Sequence, residues 1–553
     1  MQQSVWCRVV LPAVTGGCLL LGAAPPVIGQ TPPDERRAER PEALGRVDFG
    51  VSCAPSVTQE FDRGIALLHH MTYPAALEAF ERVTRSDPGC ALAYWGAAMT
   101  LFQPLWPNRP TASDLSRGWT LVQEARLRMA GGGRDSMFVA TGEAFFDPAG
   151  EPDYWARIER WADAMTDLYV AHPDDREVRA FFALARLATA SRGDARAHHE
   201  EAAAVLATIL AEEPTHPGAV HYTIHANDFD VREHESLHVV RSYGDIAPAN
   251  AHALHMPTHI FVRLGEWEQV IEWNRRAAAA ALQQRVGPKG EHVWDEFPHA
   301  IEYLVYAELQ RGDDDAAREL IRSLHETPDL QPSLKTAFHF ASTASRFAVE
   351  RQDWAQAAVV PVRAPAGLDW DLFPWPEALT WFTRGFGAAH LPGSEATVVE
   401  SLGHLERLRQ RAAAMGEPLF STQIEILRLE VTAWQALAEG DGERAVRTLE
   451  DAVELEQRTP KHPVTPGATA PARELLGDLL LALGDPARAR DAYLASSTAA
   501  PGRFNTTLGL ARSSAALGDA DTARSHYRAL LDAAAPASRR PALAEARAYL
   551  ARG

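Results

Sequence analysis

Two places in this chain set histidines four residues apart, His221 with His225 and His255 with His259. The offset between the pairs is 34 residues for both members. A spacing of four stacks two side chains one turn apart on a single helix face. An offset of 34 is the period of a helix–turn–helix repeat, so each pair takes the same two places in successive units. With the register set from Pro214 and Pro248, the paired histidines lie about 100–140° round the helix from its packed face. That flank lines the concave groove of a stack of such units. His252 lies on the same flank one turn earlier, and His299 and Glu302 take the equivalent places in the next unit, after a loop at 283–297. The expected groove set is therefore His221, His225, His252, His255, His259, His299 and Glu302.

Neutral imidazole with carboxylate suits zinc or another transition metal, and the four paired histidines 221, 225, 255 and 259 are the expected ligands of one ion. The same side chains could instead donate hydrogen bonds to an anionic peptide or chain terminus, or sit buried against neighbouring carbonyls. The two binding readings differ in sign: a metal is lost as the rings protonate, whereas an anion is held more tightly. Pro257 stands between His255 and His259. If a helix only begins there, the two rings need not share a face.

Residues 234–238 read HESLH, the H-E-x-x-H spacing of zinc proteases. In the repeat register Ser236, Val240 and Tyr243 form the packed face of their helix, which turns His234 and His238 to solvent. Protease chemistry is not expected there. His69-His70 reads as a pair at a helix C-terminus, where the helix dipole favours it. No phosphate-cradling loop, nucleophile elbow or dinucleotide fingerprint occurs, and no catalytic residue is assigned.

The elements that must position these residues are helix pairs. Gly64, Ala76, Phe80 and Pro88 fit small residues at a close helix crossing, an aromatic filling the gap to the next unit, and a terminating proline. Gly477, Gly484, Ala489, Tyr493 and Pro501 repeat the pattern, as do Ala511, Gly518, Ala523 and Tyr527. The chain thus resembles tetratricopeptide repeat proteins over most of residues 57–537. It also resembles a group of exported bacterial repeat proteins of unassigned function, through AYWGAAM ending at Met99, QPLW at 103–106, HALHMPTHIFVRLGEW at 252–267 and HAIEYLVYAELQRGD at 299–313. Gln103 departs from the histidine expected in that group. The resemblance implies an all-α solenoid in two arrays, and arrays of this kind mostly bind proteins through the concave face.

The expected organisation is a signal peptide over 1–29, a linker over 30–56, an array over 57–360, a Pro/Trp-rich connection over 361–394 and a second array over 395–553. The apolar run after Arg8 is too short and too broken for a membrane span, and Thr15 three residues before Cys18 argues against a lipid anchor. Export to the periplasm or beyond would leave Cys53 and Cys90 to pair in an oxidising compartment. A net charge of −19 argues against sequence-independent nucleic-acid binding. The function expected from the sequence is an exported scaffold taking a protein, peptide or other polar ligand in the groove of residues 216–306. The alternative is a metal-binding protein or metalloenzyme built on the same histidines.

Overall fold

The computed structural model describes residues 43–106, 109–129, 131–150, 153–192, 194–228, 232–287 and 289–552. The expected signal peptide and the start of the linker lie outside these residues.

The architecture is all-α, a tetratricopeptide-like succession of antiparallel helix pairs. Helices Thr58–His69 and Tyr73–Ser86 form the first pair, and Ala91–Met99 opens the next. Phe80 makes this geometry possible only because its neighbours are glycines. A Cβ on Gly64 would lie 2.8 Å from the Phe80 ring and one on Gly96 2.5 Å from it, closer than atoms pack. Tyr493 repeats the device between Gly477 and Gly509, at 2.5 and 2.3 Å. The turns have their own chemistry. Gly312 and Gly484 end their helices in the left-handed region, at φ +68° and +81°, where a Cβ would be strained. The aspartate that follows each, Asp313 or Asp485, caps the next helix by accepting from the amide of Ala316 or Arg488.

The Sγ atoms of Cys53 and Cys90 are bonded, with their Cα atoms 4.9 Å apart. This bridge ties the segment before the first helix pair to the turn after it. The loop at 283–297 carries a short hairpin, Arg285–Val286 with His292–Val293.

Residues 42–553 form one compact unit. The segment 361–394, read as a connection, differs from that reading: it contains the 16-residue helix Pro374–Ala389, packed against Leu334–Val349 and Glu395–Ala414. Its prolines lie in the first helical turn, where no backbone donor is required, so a Pro-rich string concealed a helix.

The C-terminal repeats curl back onto the N-terminal ones. Arg503 pairs with Glu474 and Glu350 and donates to the Tyr306 hydroxyl at 2.8 Å. Trp267 Nε1 donates to the Gly502 carbonyl at 2.8 Å. Arg346 donates to Ala468 O at 2.8 Å and Thr465 Oγ1 at 3.0 Å. The segment 459–471 is thereby carried over the inner face of the histidine-bearing helices. No helix of the described residues is long and apolar enough to cross a membrane.

Candidate metal centre

The histidines of the inner face form two sets of three. His221 and His225, on helix Pro217–Asn227, meet His252 from helix Ala251–His255. His255, at the end of that second helix, meets His259 from helix Pro257–Leu264 and His299 from helix Glu296–Gln310. One ring nitrogen from each member of a set lies within 4.8 Å of the others. Pro257 does not disturb this. Met256 keeps helical angles, φ −52° and ψ −40°, so the two short helices run on as one line and His255 and His259 share a face.

The rings are fixed from behind. His221 Nδ1 lies 2.6 Å from the carbonyl of His69. His252 Nδ1 lies 3.0 Å from Glu296 Oε2, and His259 Nδ1 lies 2.9 Å from Asp228 Oδ2. His255 Nδ1 lies 2.7 Å from Asn274 Oδ1, whose own amide nitrogen donates to Val270 O. Carbonyl and carboxylate oxygens only accept, so all four Nδ1 atoms carry the proton. Their Nε2 atoms then present lone pairs. His299 is fixed through another ring: its Nδ1 lies 3.1 Å from His339 Nε2, and His339 Nδ1 donates to Glu302.

Those lone pairs face one another. His221 Nε2, to which His225 Nε2 can donate at 3.1 Å, is 3.2 Å from His252 Nε2, and His255 Nε2 is 3.1 Å from His259 Nε2. Two acceptors at hydrogen-bond distance require a proton or another cation between them. Burial disfavours the proton, pushing His221 and His255 well below the ordinary imidazole range, with the neighbouring imidazoles adding to the effect. Burial also lowers His259 and takes His225 and His299 well down. What remains is a set of imidazole donors, three to a site, of the kind that ligates a transition metal.

Charges surround the sets without entering them. Burial alone would raise Asp228, but Lys461, Arg263 and His259 hold it well below the usual carboxylate range. Lys335 and His252 outweigh burial at Glu296 in the same way, and His339 and Arg346 do so at Glu302. Tyr303, fully buried, places its hydroxyl 3.4 Å from His259 Nε2.

The six rings are 0–8% exposed. Leu105 and Trp106 close one side, and Pro463 and Val464 of the segment 459–471 close another, around a cavity of about 30 Å³ that His225, His252, His259, His299 and Lys335 also line. The residues expected in an open groove are thus enclosed, because the C-terminal repeats fill the groove at this level. Gln103, read as a departure, lies beside this wall and accepts from the amide of Trp106 through its carbonyl.

The expected single ion with four ligands becomes two sets, with His252 and His299 as the third members. Glu302 does not reach the ring nitrogens of either set and acts behind His339. Sequence reasoning missed His339, which lies 40 residues after His299 in a lengthened unit where the 34-residue offset has no purchase. Asp228, Glu296 and Lys335 carried no sequence signal, and Asn274 continued the repeat pattern without marking a contact to His255.

Other titratable clusters read differently. His69 and His70 are core residues, not an exposed helix end: His69 contacts the Tyr222 hydroxyl and Glu177, and His70 contacts the Tyr243 hydroxyl and Leu44 O. His216 completes that network by bonding Glu177 with Nε2 and accepting from the Ala219 amide with Nδ1. Every ring nitrogen there has a protein partner, so no lone pair is left for an ion. His234 and His238 are exposed.

No known family profile matches the chain, and no curated protein matches it. Among solved structures, it is similar to a chain of the APC/C hetero-tetramer Cut9–Hcn1, at 12% identity and TM-score 0.32, over 90% of this chain and 89% of that one. It is also similar to human IFIT1, in a dimer with m7Gppp-AAAA, at 13% identity and TM-score 0.35, over 88% of this chain and 97% of that one. At these scores the fold assignment rests on the helix pairing of this chain itself.

Proposed function

We propose that this chain is a metalloprotein holding two transition-metal ions in adjoining three-histidine sites inside a helical-repeat frame. The observation that carries the reading is the facing of Nε2 lone pairs, at 3.2 Å between His221 and His252 and 3.1 Å between His255 and His259, in rings whose Nδ1 protons are committed elsewhere. All-imidazole ligation favours copper or zinc over magnesium, calcium and manganese, and copper(II) binds such a site more tightly than zinc. Three protein ligands per ion leave a coordination position for a further ligand, the pattern of reactive rather than purely structural sites. The test is metal analysis after incubation with copper or zinc and removal of excess. Two ions per chain are expected, and His225→Ala with His259→Ala should abolish both.

The frame belongs to an architecture that commonly docks proteins. Leu483, Leu494 and Leu517, 42%, 47% and 39% exposed along the C-terminal repeats, favour a protein partner there, away from the buried histidines. The export signal read over residues 1–29 would place the protein in the periplasm or outside the cell, the compartment in which the Cys53–Cys90 bridge persists. Sequencing the amino terminus of secreted material tests this, with a start near Gln30 expected.

A further inference from the structure

The cavity between the two sets is small and shared. His225 and His252 of one set and His259 and His299 of the other line it. The His225 and His259 ring centroids are 5.9 Å apart, and those of His252 and His255 are 6.3 Å apart, so rings of the two sets are in contact. Two ions held by these sets would face the same space. Its volume, about 30 Å³, exceeds the roughly 10–15 Å³ that one water needs and falls far short of the roughly 300 Å³ of an ordinary organic-ligand pocket.

Charge decides what fills it. The carboxylates around the sets are Asp228, Glu296, Glu302 and Asp295. Each is already matched: Asp228 by Arg263 and Lys461, Glu296 and Asp295 by Lys335, Glu302 by Arg346. Four acids face four cations, and an imidazole ligates as the neutral ring. The positive charge of two bound ions is therefore left without a counter-charge from the protein. Lys335, whose Nζ lies 3.7 Å from the Trp106 ring centroid, lines the cavity, and no carboxylate does.

We propose that the two ions share one small exogenous anion of one to three heavy atoms, bridging them across this cavity, with Lys335 as its second electrostatic partner. Hydroxide fills the role in water. A whole peptide or organic molecule exceeds the cavity volume. The proposal rests on the two-ion reading above, and its test separates the two. The protein is loaded with copper(II), the metal is counted, and the loaded protein is titrated with sodium azide while charge-transfer absorption and electron paramagnetic resonance intensity are followed. Fewer than two copper ions per chain overturns the two-ion reading. With two bound, saturation at one azide per copper pair supports the bridge. Two independent azides, or none, overturns it and leaves the two-ion reading standing.

Two variants isolate the cavity. Lys335→Met should weaken azide roughly tenfold or more, the size expected for a lost hydrogen bond to a charged group, with two copper ions retained. Because Lys335 also holds Glu296, Val464→Phe serves as the second variant. It fills the cavity from the C-terminal segment and removes no ligand, and it should block azide while copper stays. Unchanged azide affinity in Val464→Phe with copper bound would place the anion elsewhere and overturn the proposal.

Discussion

The Nε2 atoms of His255 and His259 face each other at 3.1 Å, while each ring gives its Nδ1 proton to a different acceptor, Asn274 in one case and Asp228 in the other. Neither ring can donate to its neighbour. Desolvation inside the array makes a shared proton costly, which supports the proposed metal reading.

The hydrogen bonds behind the rings should matter nearly as much as the rings. Glu302 orients His339, which orients His299. Glu302→Gln keeps the shape and removes the charge, and should weaken metal binding by about 10–100-fold while secondary structure is retained. Competition against a chromogenic chelator measures this.

The C-terminal segment should control metal exchange. Lys461 Nζ bonds Asp228 Oδ2 at 2.8 Å, and Asp228 also holds Arg263 and His259. Lys461→Met removes a clasp and leaves the ring partners in place. Metal release to excess chelator should quicken several-fold, with stoichiometry unchanged.

The sequence and the structure agree most closely where a repeat leaves a chemical trace. Glycines flanking Phe80 and Tyr493 mark close helix crossings, and the 34-residue offset singles out His221, His225, His255 and His259. The trace stops where spacing changes. The loop at 283–297 breaks the period before His299, and the next unit is longer still, so the Glu302–His339–His299 chain is invisible to a fixed offset. The cover over the centre was not legible at all. It depends on residue 461 meeting residue 228, a contact set by the curl of the whole array. His69 and His70 misled for the opposite reason, since a helix end that looks solvated in sequence is buried by helices far along the chain.

A pH effect is expected away from the centre. Asp478 accepts from the Tyr493 hydroxyl, and burial pushes its carboxyl up to about 7. The unfolded carboxyl titrates near 3.8, so between the two values the folded chain binds more protons than the unfolded one. Stability should therefore fall as pH rises from about 4 to about 7 and level off above. Asp478→Asn keeps an acceptor for Tyr493 and should flatten that slope in Tm, read by calorimetry from pH 5 to 8.

The disulfide should support the first helix pair. Cys53 and Cys90 are 37 residues apart, and closing a loop of that length stabilises by about 3–4 kcal/mol in the chain-entropy description. Cys53→Ala with Cys90→Ala should lower Tm by several degrees without changing metal stoichiometry.

The most direct measurement is an anomalous difference map from crystals grown with copper or zinc, recorded at that metal's absorption edge. Two peaks are predicted, one among His221, His225 and His252 and one among His255, His259 and His299, each about 2.0–2.1 Å from three ring nitrogens. Full-occupancy soaking with no density at either set, or metal found only at the exposed His234 and His238, would contradict the account.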